Sequence, residues 1–99
     1  MSSTNFFIEF QSDVPEFDDQ FKTAAGMRLR GLAVHHHEID HARIAVTKSR
    51  EGGGVPQFQA SVIVYAHPGN IEVTKEDYRI VEALDEALAA IEQKIHEKY

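Results

Sequence analysis

Two runs of apolar–polar alternation, separated by a glycine-rich tip, constrain this chain more than any other feature. From Ile39 to Arg50, Ala42, Ile44 and Val46 alternate with His41, Arg43, Ala45 and Thr47; from Gln57 to Ala66 the alternation resumes with Phe58, Ala60, Val62 and Val64. A period of two is what a strand shows when only one face of its sheet is buried. The intervening Glu51-Gly52-Gly53-Gly54-Val55-Pro56 reads as a turn or flexible loop, so the two runs form a hairpin. His67-Pro68-Gly69-Asn70 is a tight-turn signal, and Ile71 and Val73 after it start another strand, which extends the hairpin to a three-stranded meander.

Helical spacing flanks this meander. Phe6, Ile8 and Phe10 alternate in the opening run from Asn5 and suit a first strand. Ser12 or Asp13 is then placed to cap a helix with Pro15 in its first turn, where a missing N–H costs nothing. Phe17, Phe21, Ala24, Ala25, Leu29 and Leu32 form its apolar stripe, ending near Val34, with Gly26 and Gly31 as interruptions. Thr74 or Asp77 can cap a second helix, in which Ile80, Val81, Leu84, Ala87, Leu88, Ile91 and Ile95 make the clearest stripe of the chain. The order is β-α-β-β-β-α, an α+β two-layer sandwich. Both helices must bury their stripes, so they are expected to cover one face of a four-stranded sheet.

Composition bounds the rest. A chain of 99 residues, 42% hydrophobic and 26% charged, has the make-up of one folded domain, residues 1–99. It has no cysteine, which excludes disulfides, thiolate metal sites and a cysteine nucleophile. No stretch approaches the roughly 20 apolar residues of a membrane span, and the amino-terminal residues lack a signal pattern, so a cytoplasmic protein is expected. The net charge of −6 speaks against general affinity for nucleic acid, yet the segment from Lys22 to Arg50 holds six bases against two acids.

That segment supplies the candidate RNA contacts. Arg28, Arg30, Arg43, Lys48 and Arg50 are the residues whose side chains suit phosphate, with Arg43 on the open sheet face and Lys48 and Arg50 at the hairpin mouth expected to form one patch. Tyr65 lies on the same alternation, where a ring can stack on a base. His35-His36-His37-Glu38-Ile39-Asp40-His41 has metal-ligating side chains, but consecutive loop residues diverge and no His-Glu-x-x-His pattern is present, so no metal site and no cofactor are expected. Asp18 with Asp19 and Glu76 with Asp77 are explained by helix starts rather than by acid–base chemistry. The Gly52-Gly53-Gly54 run lacks the lysine and helix start of a phosphate loop. No catalytic residues are assigned.

The order of elements resembles the ribosome hibernation promoting factor and ribosome-associated inhibitor family, also called sigma modulation or ribosome-associated Y proteins. The resemblance rests on Ile39-Asp40-His41-Ala42-Arg43-Ile44-Ala45-Val46, the Gly-rich loop, Gln57-Phe58-Gln59-Ala60-Ser61-Val62-Ile63-Val64, the turn His67-Pro68-Gly69-Asn70, and Glu76-Asp77-Tyr78 leading through Ala83-Leu84-Asp85 into the long final helix. It covers nearly the whole chain. It implies a fold like the double-stranded-RNA-binding domain and a stress or stationary-phase factor that binds ribosomal RNA of the small ribosomal subunit and silences translation, with no DNA or membrane partner. The second, dimerising domain of long family members is not expected here. The last helix departs from the basic helices of such proteins, with Glu82, Asp85, Glu86, Glu92 and Glu97 against Lys94 and Lys98. That acidity points to the alternative, a protein-interaction module on the same fold without ribosome binding.

Overall fold

The computed structural model describes residues 6–49 and 55–98. The elements run β1 (Phe7–Ser12), α1 (Asp19–His35), β2 (Ile39–Ser49), β3 (Gln57–Ala66), β4 (Ile71–Asp77) and α2 (Ile80–Lys98). The strands form one sheet in the order β1-β2-β3-β4. β2, β3 and β4 make an antiparallel meander, with Ile44 opposite Val62 and Val62 opposite Val73. β1 joins the other side of β2 in parallel, from Phe7 opposite His41 to Ser12 opposite Val46. A parallel neighbour needs a crossover connection, and α1 is that crossover.

The alternation of β2 and β3 decides where the core lies. Ala42, Ile44, Val46, Ala60 and Val62 have no exposed surface, and they face the helices together with Val64, Val73 and Phe58. α2 lies over β3 and β4, and α1 packs on the side of β1 and β2, where a Cβ on Gly26 would meet Ile8 Cδ1 at 3.5 Å. The two helices thus cover one face, and the odd-numbered residues of β3 and, from His41 onward, of β2 form the other; the register shifts between Ile39 and His41, and Ile39 is buried.

The helix starts differ from the expected ones. Ser12 ends β1: its hydroxyl donates to Val46 O at 2.8 Å and accepts from the Val14 amide at 3.0 Å, so it turns the chain instead of capping a helix. Asp18 is the cap, accepting from the amides of Gln20 and Phe21 at 3.1 and 3.2 Å. Val14 and Phe17 are buried in the connection before the helix, and Pro15 lies there too. Thr74 belongs to β4 and pairs with Ser61 across the open face, hydroxyl to hydroxyl at 3.0 Å. Asp77 accepts from the Arg79 amide just before α2. In the stripes, Val81 is 48% exposed, because the sheet side of α2 is already filled by Ala83, Leu84, Ala87, Leu88, Ile91 and Ile95. The tip Glu51-Gly52-Gly53-Gly54 and Arg50 lie outside the described residues.

Leu88→Ala should cost about 2–5 kcal/mol in a denaturant titration, since the side chain is 3% exposed and its removal forfeits burial and leaves a cavity. Gly31→Ala should act in the other direction. Nothing lies within 4 Å of a Cβ built on Gly31, so the alanine gains helix propensity without a clash, about 0.5–1 kcal/mol in the same titration.

Candidate functional site

The parity of β2 separates two of the candidate cations. Arg43 stands on the open face with His41, Ala45 and Thr47, whereas Lys48 has the parity of the core residues and points to the helix side. There its ammonium reaches Glu16 Oε2 at 2.8 Å and lies 5.4 Å from the ring centre of Phe58. The expected single patch of Arg43, Lys48 and Arg50 is therefore corrected: residues an odd number apart on a strand leave from opposite faces. Arg50 itself is not among the described residues.

Three of the four described cationic candidates are held by carboxylates of the chain. Arg28 bridges the helices. Its Nε and Nη2 donate to the two oxygens of Glu92 at 3.2 and 3.0 Å, and Nη1 donates to Asp85 at 2.9 Å. The Glu92 hydrogen bond, with Asp85 adding to it against some desolvation, holds the guanidinium above its ordinary pKa. Arg43 donates from Nε to Glu9 on β1 at 3.3 Å. Lys48 holds the Glu16 carboxyl below its ordinary value, chiefly through their hydrogen bond. Glu86 shifts the opposite way, raised first by desolvation and then by the nearby Asp77 carboxylate. Arg30 is exposed and forms no ion pair among the described residues; it stands two helical turns from Lys22, and the two flank a shallow hollow over Phe10, Gly26 and Met27.

Tyr65 belongs to a row of rings. Its centroid is 4.2 Å from that of His41, which in turn is 4.8 Å from that of Phe7, with interplanar angles of 14° and 8°. The registers Phe7↔His41 and His41↔Tyr65 create this row across three strands of the open face. The histidine run does not converge. His41 enters the row with Nδ1 2.8 Å from an Asp40 oxygen, while His36 packs edge-on against His96 of α2 at 5.3 Å. Among the described residues no three histidine, aspartate or glutamate side chains gather in a metal-binding group.

Sequence reasoning missed Phe7, His41 and Lys22 as site residues. Phe7 is outward by the alternation that turns Phe6, Ile8 and Phe10 inward, and Lys22 is eight residues from Arg30 on one helix face, so both signals were present. The register that aligns Phe7 with His41 was not.

Solved structures match the fold over nearly its whole length, among them the following two. The Thermus thermophilus Protein Y N-terminal domain has 17% identity and a TM-score of 0.72, covering 99% of this chain and 100% of that one. The chain has the fold of protein Y. A ribosomal subunit interface protein from Coxiella burnetii has 11% identity and a TM-score of 0.76, covering 93% and 96%. No protein-family model matches the sequence, and a search of curated proteins finds no sequence relative. Among the described residues no helix is long and apolar enough to cross a membrane.

The Lys48–Glu16 pair gives a pH prediction. Because the folded state lowers the Glu16 pKa, the pair's contribution is present above the ordinary value of 4.5 and is lost as pH falls through the lower folded value. Thermal unfolding across a pH series should show Glu16→Gln less stable than the parent near neutrality, with the difference vanishing in acid.

Proposed function

We propose that this chain is a non-enzymatic cytoplasmic factor that binds the small ribosomal subunit and silences translation under stress or in stationary phase. The observation that carries this reading is the end-to-end likeness of fold to protein Y and to a protein named for the ribosomal subunit interface. A net charge of −6 means that attraction to ribosomal RNA must come from a local patch. The outer side of α1 supplies one. Among the described residues Arg30 and Lys22 have no carboxylate partner, whereas Arg28, Arg43 and Lys48 must first leave theirs, which lowers what each offers a phosphate. Tyr65 remains a candidate for stacking on a base through its ring.

A specific observation favours a second reading, a protein-interaction module on the same fold. Asp85 and Glu92 of α2 occupy Arg28 completely enough to engage three of its nitrogens. The helix surface is thereby neutralised from within, which suits a protein partner better than RNA.

Cosedimentation with purified small subunits across a salt series distinguishes the two. The double variant Lys22→Ala/Arg30→Ala should bind more weakly and with a shallower salt dependence, by about 0.7–0.9 of a logarithmic unit for each phosphate that is no longer neutralised. Arg43→Ala should change binding less. A folded parent protein that stays in the supernatant at low salt would overturn the ribosome reading in favour of the interaction module.

A further inference from the structure

The open face of the sheet carries a row of rings of which the ribosome reading uses only Tyr65. In the row Phe7–His41–Tyr65, the central imidazole is stacked on both sides, and among the described residues each outer ring has one stacking partner in the row. The row therefore ends in two aromatic faces, and Phe7, on the terminal strand of the sheet, is 53% exposed. Each end has a carboxylate in the next row. Glu9 follows Phe7 by two residues on the same side of β1, and Glu72 lies opposite Ile63, two residues from Tyr65 on the same side of β3.

The charge of this face is the second observation. By register, its described acids are Glu9, Glu72 and Glu76, and Arg43 is its described arginine or lysine. An acidic surface repels phosphate and attracts cations. A guanidinium is the cation whose shape fits, because it is planar, stacks on a ring face and still donates in its own plane to a carboxylate. The chain's own Arg43 pairs with Glu9 beside the ring row at 3.3 Å, the carboxylate half of that chemistry.

From this charge and shape complementarity we infer that the open sheet face is a docking surface for an arginine-bearing segment of a protein partner. Guanidinium groups stack on the exposed ring of Phe7 and on the outer side of the half-buried Tyr65 ring, and pair with Glu9 and Glu72. The surface is opposite the helices and its ligand is a protein, so it stands apart from the α1 patch and from whether that patch binds RNA.

The test titrates the isotopically labelled full chain with an arginine–glycine repeat peptide, followed by amide chemical shifts and fluorescence anisotropy. A lysine–glycine repeat of equal length and single-stranded polyuridylate serve as competing probes. The arginine peptide should shift the amides of Phe7, Glu9, His41, Tyr65 and Glu72, and bind more tightly than the lysine peptide. Phe7→Leu keeps the apolar bulk at an exposed site and removes the ring, so it should leave the melting curve unchanged and weaken the arginine peptide roughly fivefold. Glu72→Gln should weaken it as well. Equal affinity for the two peptides, unchanged binding by the folded Phe7→Leu variant, shifts confined to other surfaces, or absence of binding each overturns the inference. Polyuridylate acting at the same amides would overturn it in favour of a base-stacking platform.

Discussion

Ala42, Ile44 and Val46 of β2 and Ala60 and Val62 of β3 have no exposed surface because two helices lie over that face of the sheet. This burial is what the remaining architecture answers to. A strand with one buried face must send every second residue outward, so side-chain chemistry is sorted by parity before any charge finds a partner. A one-residue slip of β2 would drive Arg43 into the core and expose Ile44. The register is therefore fixed by the hydrophobic term, and the rows of the open face, rings first and then Glu9 with Arg43, inherit their order from it.

The ion pairs sit around this core as ties between elements distant in sequence: Arg28 joins α1 to α2, Arg43 joins β2 to β1, and Lys48 joins β2 to the turn before α1. Each is solvated at least in part, so its contribution to stability is modest. Their larger effect is on what the surface presents. A count of bases between Lys22 and Arg50 describes a positive segment; the folded molecule pairs three of those bases, Arg28, Arg43 and Lys48, with acids drawn from both ends of the chain. The acidic last helix has the same explanation, since two of its carboxylates are the partners of one arginine on the first.

The strands of the meander were legible because they are local. Gln57 to Ala66 forms β3 residue for residue, and parity alone placed Ala42, Ile44 and Val46 inside. The start of α1 was harder to read, because Ser12, Asp13 and Asp18 are all competent caps and the choice depends on Ser12 bonding to Val46, a residue 34 positions away. The supposed patch of Arg43 with Lys48 failed on a point the sequence did contain, since five is an odd separation on a strand. The carboxylate partners of the three bases and the alignment of Phe7 with His41 are long-range pairings, and no local pattern encodes them.

The parallel seam between β1 and β2 sets the molecule's order of assembly. The meander closes over short connections, so its pairing costs little loop entropy, whereas Phe7 cannot meet His41 until the whole of α1 has been reeled in between them. β1 is also a terminal strand, hydrogen-bonded to β2 alone within the sheet. Such a strand is the natural unit of sub-global opening, the last to dock and the first to exchange its amides with solvent. Because β1 contributes one ring of the aromatic row and the carboxylate beside it, the open face is complete only in the fully closed state. A partner that clasps that face would thereby latch the least tethered strand of the sheet, and its affinity would be linked thermodynamically to the local stability of that seam.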